Sequence, residues 1–315
     1  MKALVRAGAL LGLGLLAAWG CGGGQRSGFD GDSGATGAAQ GDAGGGGIDD
    51  ASSGADVPLF GDGSVPEGGS PPAEAGGGSC PANAQMVYVT GEPAELWSFW
   101  PPTFKFTKIG NLTCTSSPTH MTVDRTGTAW VVGDGNVYQT STTTAVCSLA
   151  AKWQPQTAFP DFAVSFVGVT NNDTSLYLLG QGNNELGLFD IASGSFQTIG
   201  TPAVSGAGGD MTSIGDGKLW YLEAYTTPHP LYQIDPSTAT VLETLSVNAA
   251  GVGSQALAYF GARFYAFEDN IVYEYDPATG AVQTLGMAPL QVTGAGQSTC
   301  VPTVVVDAGT PPPVQ

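Results

Sequence analysis

The sequence predicts an all-β chain: a β-propeller of five four-stranded blades, closed by a C-terminal strand that completes the first blade. Three observations predict it. A hairpin unit, VYEYDPATGAVQTLG at 272–286, recurs upstream at 96–110, 186–200 and 231–246, with a weaker copy at 137–149. Each copy is preceded by a short apolar run (MVYVT, AWVVG, SLYLLG, LWYLEA, RFYAFE), and in four repeats by one further strand candidate (MTVD, VSFVGV, MTSI, ALAYF). The turn positions Trp100, Ser141, Asp190, Asp235 and Asp276 are spaced 41, 49, 45 and 41 residues apart. Four short strands in a repeat of that length make a propeller blade.

Residues 1–20 carry Lys2 and Arg6 ahead of an apolar stretch and end at Cys21. This is a secretory signal peptide, too short for a membrane span. AAWG before Cys21 resembles the lipobox of bacterial lipoproteins, in which the Cys after the cleavage site is lipidated; a multiply acylated Cys21 anchors stably in a membrane. The expected address is the bacterial envelope, at the outer membrane or cell surface. Residues 21–79 are Gly-rich and acidic and lack the apolar surface to offset ordering entropy. They are a disordered tether with a span of roughly 40 Å for a Gly-rich coil. The run from Asp30 to Gly34 (DGDSG) lacks the bidentate Glu of a calcium loop.

The repeat domain runs from 80 to 306. Pro follows Asp235 and Asp276, and a Gly or small residue sits where a left-handed conformation closes each turn, so Asp190, Asp235 and Asp276 are turn-stabilising carboxylates. The apolar runs are nearly continuous, as sheets covered on both faces require. The first repeat has no leading strand, whereas GAGQSTCVPTVVV at 294–306 aligns with the segments that begin the other blades. That segment is expected to complete blade one, leaving 307–315 as a disordered tail. Besides Cys21, the four cysteines are an even set in an exported chain, with three possible connectivities. Cys80 with Cys300 would pin the joined ends of the ring, and Cys114 with Cys147 would link blades one and two. No pair has CxxC spacing, which argues against zinc.

With 27 acidic against 9 basic residues the net charge is -18. Phosphate binding needs Lys/Arg clusters that the chain lacks, so nucleic acid is excluded as a partner. MTVDRTGTAWVV at 121–132 resembles the NHL repeats, and LYQIDPSTA and VYEYDPATG resemble the repeats of quinoprotein-like and YVTN-type propellers. The tethered form resembles surface lipoproteins of large-genome soil bacteria. These resemblances imply the fold and leave function open, because such propellers include binding modules, scaffolds, lyases and lactonases.

In propellers the loops joining second to third strands gather with the starts of the innermost strands on one face. Here that face offers Glu92, Glu95, Asp134, Asn136, Glu185, His229 and Asp269 from the loops, and His120, Asp210, Gln255 and Gln297 from the strand starts. The recurring carboxylates suggest a shared site for a polar ligand or a divalent cation such as calcium; no other cofactor is implied. His120 occupies the place where a histidine does chemistry in propellers resembling virginiamycin lyase. Trp153, in AKWQPQTAFPDF, is expected to be an exposed aromatic platform, whereas Trp97, Trp130 and Trp220 belong to strands and the core. GxSxG, HExxH, P-loop and dinucleotide motifs are absent. The reading that follows is a surface binding or scaffolding module for a protein, glycan or small molecule, with no assigned catalytic residue. The alternative is a propeller enzyme, either a lyase or lactonase with a channel metal or a five-bladed glycosidase.

Overall fold

The computed structural model describes residues 80–168, 175–205, 208–248, 256–307, 309 and 311. The signal peptide, Cys21, the tether, Gln255 and most of the C-terminal tail lie outside the described residues. Among those described, twenty strands form five four-stranded antiparallel sheets arranged in a ring, the predicted propeller.

Blade one contains β1 (Val87–Glu92), β2 (Glu95–Trp100) and β3 (Lys105–Asn111). Blade two is β4 (Pro118–Val123), β5 (Thr128–Gly133), β6 (Asn136–Ser141) and β7 (Cys147–Leu149). Blade three is β8 (Phe162–Phe166), β9 (Ser175–Gly180), β10 (Leu186–Asp190) and β11 (Phe196–Gly200). Blade four is β12 (Gly209–Thr212), β13 (Leu219–Glu223), β14 (His229–Ile234) and β15 (Val241–Val247). Blade five is β16 (Ala256–Phe260), β17 (Arg263–Glu268), β18 (Ile271–Asp276) and β19 (Ala281–Met287). The chain then returns to blade one as β20 (Gln291–Gln297), pairing antiparallel with β1.

The closing strand begins earlier than the sequence alignment suggested, at Gln291 rather than within the segment from 294 onward. Its two glycines explain the register. A Cβ on Gly294 would stand 2.9 Å from His120 Cα, and one on Gly296 would stand 2.6 Å from the Met121 carbonyl oxygen, so β20 approaches β4 at backbone distance. Beyond Gln297 the chain leaves the sheet, and Cys300 bonds to Cys80 with a Cα separation of 5.8 Å. The Cys114–Cys147 bond forms as well, tying the connection after β3 to the outer strand of blade two.

Hairpin corners follow the expected chemistry. Asp190 accepts the Ser193 amide at 2.6 Å, Asp235 the Ser237 amide at 2.8 Å, and Asp276 the Ala278 amide at 2.9 Å. Gly194 and Gly280 take φ of 78° and 73° and return their N–H groups to the Asp190 and Asp276 carbonyls. The inner strands β8, β12 and β16 are buried throughout, whereas the outer strands β3, β15 and β19 are largely exposed or half-buried. Aromatic side chains lock neighbouring blades, with Trp130 edge-on to Phe166 and Trp100 edge-on to Phe260.

Candidate functional site

The starts of the inner strands and the second-to-third loops meet on one face, as propeller geometry requires, and a cavity of about 600 Å³ opens there. Its wall comes from blades one to four: Glu92 at the end of β1, Ser117 to His120 at the start of β4, Asp161 just before β8, Gln181 after β9, Gly208 and Gly209 at the start of β12, Tyr225 after β13, and Thr293 from β20. Thr293 Oγ1 donates to the Pro118 carbonyl at 2.5 Å, joining the closing strand to blade two at the rim.

His120 is placed by a register shift in β4 between Pro118 and His120. Irregularities of this kind re-aim side chains, and His120 follows directly after this one. Its Nδ1 lies 3.0 Å from Asp210 Oδ1 on β12, across the channel and two blades away. Asp210 is fully buried and also accepts the Met211 amide on Oδ1 and the Leu257 amide on Oδ2, each at 2.9 Å. With its carboxylate lone pairs turned to donors, the proton of a neutral His120 resides on Nδ1 and the Nε2 lone pair faces the cavity. Among the described residues Nε2 has no hydrogen bond; Asp161 Oδ1 stands 3.9 Å away. Burial works to lower the basicity of His120, but the hydrogen bond and charge of Asp210, with the charge of Asp161, outweigh it and hold the imidazole above its ordinary value. Burial pushes the Asp210 carboxyl up, against the hydrogen bonds from His120, Leu257 and Met211.

The other sequence-predicted positions have distinct fates. Gln297 is buried deeper in the channel, where its amide donates to Thr212 Oγ1 at 2.6 Å and the Ser213 carbonyl at 2.8 Å and accepts the Tyr259 amide at 3.0 Å. It ties β20 to β12 and β16 and does not line the cavity. Asp134 accepts Thr115 Oγ1 at 3.1 Å, Asp269 accepts Gln291 Nε2 at 3.0 Å, and Glu185 is near Asn183 Nδ2 at 3.4 Å. These three carboxylates are engaged locally and stand outside the cavity wall. His229 is the first residue of β14, buried, with Nδ1 3.2 Å from the Glu223 carbonyl. Among the described residues, no three His, Cys, Asp or Glu side chains gather as a metal site.

Trp153 is a correction. Expected at the surface, it is only 2% exposed and packs against Phe162 and Phe189. Its loop folds inward through Trp153 N–H to the Ala150 carbonyl at 3.1 Å and Phe159 N–H to the Gln156 carbonyl at 2.9 Å. The exposed aromatic at the site is Tyr225, at 62% exposure, whose ring edge lies 2.8 Å from where a Gly208 Cβ would be. Asp161 was also missed in sequence; it lies immediately before an inner strand, at the same level as His120 and Asp210. Glu223, fully buried, accepts from Thr226 Oγ1 at 3.0 Å, the Ser205 amide at 3.2 Å, Tyr232 Oη at 3.3 Å and Ser205 Oγ, so it holds the loops behind Tyr225.

No protein-family model matches the chain, and no curated protein matches it. Among solved structures the chain is similar to one titled "Crystal structure of Nidogen/Laminin Complex", at 11% identity and a TM-score of 0.45, covering 68% of this chain and 80% of that one. The function is therefore read from the site's own residues.

Proposed function

We propose that the chain is an envelope-anchored binding module whose channel-mouth cavity takes a small polar ligand. The observation that supports this most is His120: one ring nitrogen is held by Asp210, and the other, without a hydrogen bond among the described residues, faces a cavity of about 600 Å³. Cavities of this size, with a few convergent polar groups on a rigid frame, are how proteins bind small molecules. The lipidated Cys21 and the tether supply the address, holding the propeller clear of the lipid surface. A ligand that binds only the folded state adds about 2.7 kcal/mol at a hundredfold excess over its Kd. For a domain of this length that is a rise of roughly 5–10 °C in Tm. A melting screen across sugars, amines, carboxylates and metal ions should find such a rise in the wild type and lose it in Tyr225→Ala. A screen without any hit would reject the cavity as a binding site. Equal detergent partitioning of wild type and Cys21→Ser would reject the anchor.

The His120–Asp210 pair favours a second reading, general-base catalysis. Asp210 would fix the tautomer and steady the imidazolium while Nε2 takes a proton from a substrate or water. Turnover abolished by His120→Gln and reduced by Asp210→Asn would establish it; ligand binding without turnover would leave the binding module.

A further inference from the structure

The walls of the cavity carry charge of one sign. Asp161 and Glu92 both line it, and no Lys or Arg does. Asp161 keeps 55% of its side chain exposed while its Oδ1 lies 3.9 Å from His120 Nε2, so the carboxylate stands between the imidazole and the opening. The exposed aromatic face of Tyr225 adds a surface that attracts cations through the ring quadrupole. Among the described residues no three His, Cys, Asp or Glu side chains gather here as a metal site. An independent observation points to an occupant. His120 is 7% exposed and lines this cavity, and among the described residues its Nε2 has no hydrogen bond, with Asp161 Oδ1 3.9 Å away.

We infer that the cavity selects a compact organic cation, an alkylammonium headgroup seated between the carboxylates and the ring of Tyr225, and that a proton on His120 competes with it. This rests on the cavity being a binding site and names its ligand class. The competition follows from geometry. A protonated Nε2 places its N–H at the carboxylate of Asp161, 3.9 Å away, the group an ammonium would otherwise use. A neutral imidazole leaves Asp161 free and offers the cation a lone pair.

The charged surroundings of His120 are few. Asp210 faces it from β12, and Asp161 from the connection before β8. The strands β5, β8 and β20, which pack on β4, contribute no ionisable side chain. β1 contributes Glu92 at the rim and Tyr88, whose hydroxyl bonds to the Asn83 carbonyl at 2.7 Å. The Tyr221 hydroxyl is raised by burial first and then by the charges of Glu223 and Asp210, and Tyr221 is not among the groups that shift His120. The proton that responds to the ligand is therefore the one on His120.

The test is calorimetry of the folded chain with choline and with 3,3-dimethylbutanol, its neutral isostere, between pH 5.5 and 9. Choline should bind at least tenfold more tightly than the isostere. Its affinity should rise with pH, approaching tenfold per unit on the acid side of the His120 midpoint, as strict competition with one proton requires. His120→Gln should keep choline binding and flatten the pH dependence. Asp161→Asn and Tyr225→Ala should each weaken choline about tenfold. Binding of glucose or acetate in place of choline, or equal binding of the isostere, would overturn the cation assignment while leaving the cavity a binding site. A response to calcium alone would overturn it too. Silence from every probe would reject the cavity reading along with it.

Discussion

Replacing Cys80 and Cys300 together with alanine removes the covalent lock that holds the first described residue of the ring to the end of its closing strand. The bond spans a sequence separation of 220, whereas Cys114–Cys147 spans 33. Loop-closure entropy then assigns about 5.4 kcal/mol to the first and about 3.7 kcal/mol to the second, a difference near 1.7 kcal/mol. At roughly 2–4 °C per kcal/mol for a domain of this length, the first double variant should melt about 10–20 °C below wild type and the second about 7–15 °C below. Urea melts of the wild type, Cys80→Ala/Cys300→Ala and Cys114→Ala/Cys147→Ala provide the assay. The m-value should rise most in the first variant, because its unfolded chain is freed to expose the most surface. If the short-loop variant lost as much stability as the long-loop variant, or more, the reasoning from loop length would be refuted. The hydrogen-bonded pairing of β1 with β20 would then be the dominant closure.

Three further predictions probe other parts of the molecule. Trp153→Ala should cost about 3–5 kcal/mol as a large buried side chain is lost, whereas Tyr225→Ala should stay within about 0.5 kcal/mol; equal costs in denaturant melts would contradict the burial of Trp153. Gly296→Ala should cost about 1–3 kcal/mol, because its Cβ would meet the Met121 carbonyl oxygen at 2.6 Å, while Gly280→Ala, in open space at φ 73°, should cost about 1 kcal/mol from backbone strain alone. The raised imidazole of His120 makes stability pH-dependent: its contribution is full below about pH 6.5, the unfolded value, and is lost as pH rises through the higher folded value. Urea melts from pH 6 to 9 should show wild type losing stability relative to His120→Gln, and parallel profiles would contradict the linkage.

The ring was legible because its information is local. Turn chemistry at Asp190, Asp235 and Asp276 and the apolar runs between turns recur every 41 to 49 residues, and each hairpin satisfies itself from residues a few positions away. The site was less legible because it is assembled from seven separate stretches of chain. His120 and Asp210 were both identified as inner-strand starts, yet their hydrogen bond across the channel depends on a register shift that composition does not encode. Trp153 misled because its flanking polar residues and prolines read as a surface loop, while the fold offered its ring a niche between Phe162 and Phe189. The loop carboxylates Asp134 and Asp269 misled in the opposite sense, since each found a nearby donor and does not line the cavity.

Blade one is assembled from two distant parts of the sequence, and the cavity inherits that division. Glu92 stands at the end of β1 and Thr293 belongs to β20, two hundred residues later, so neither half of the wall exists without the other. An occupant that touches both rims would act as a clasp, favouring the closed circle over any state in which β20 has peeled away. The same arrangement makes occupancy a certificate of completion. A polypeptide still emerging, or one truncated before Gln291, would present four complete blades and an unfinished mouth, and only the finished circle would answer to the ligand.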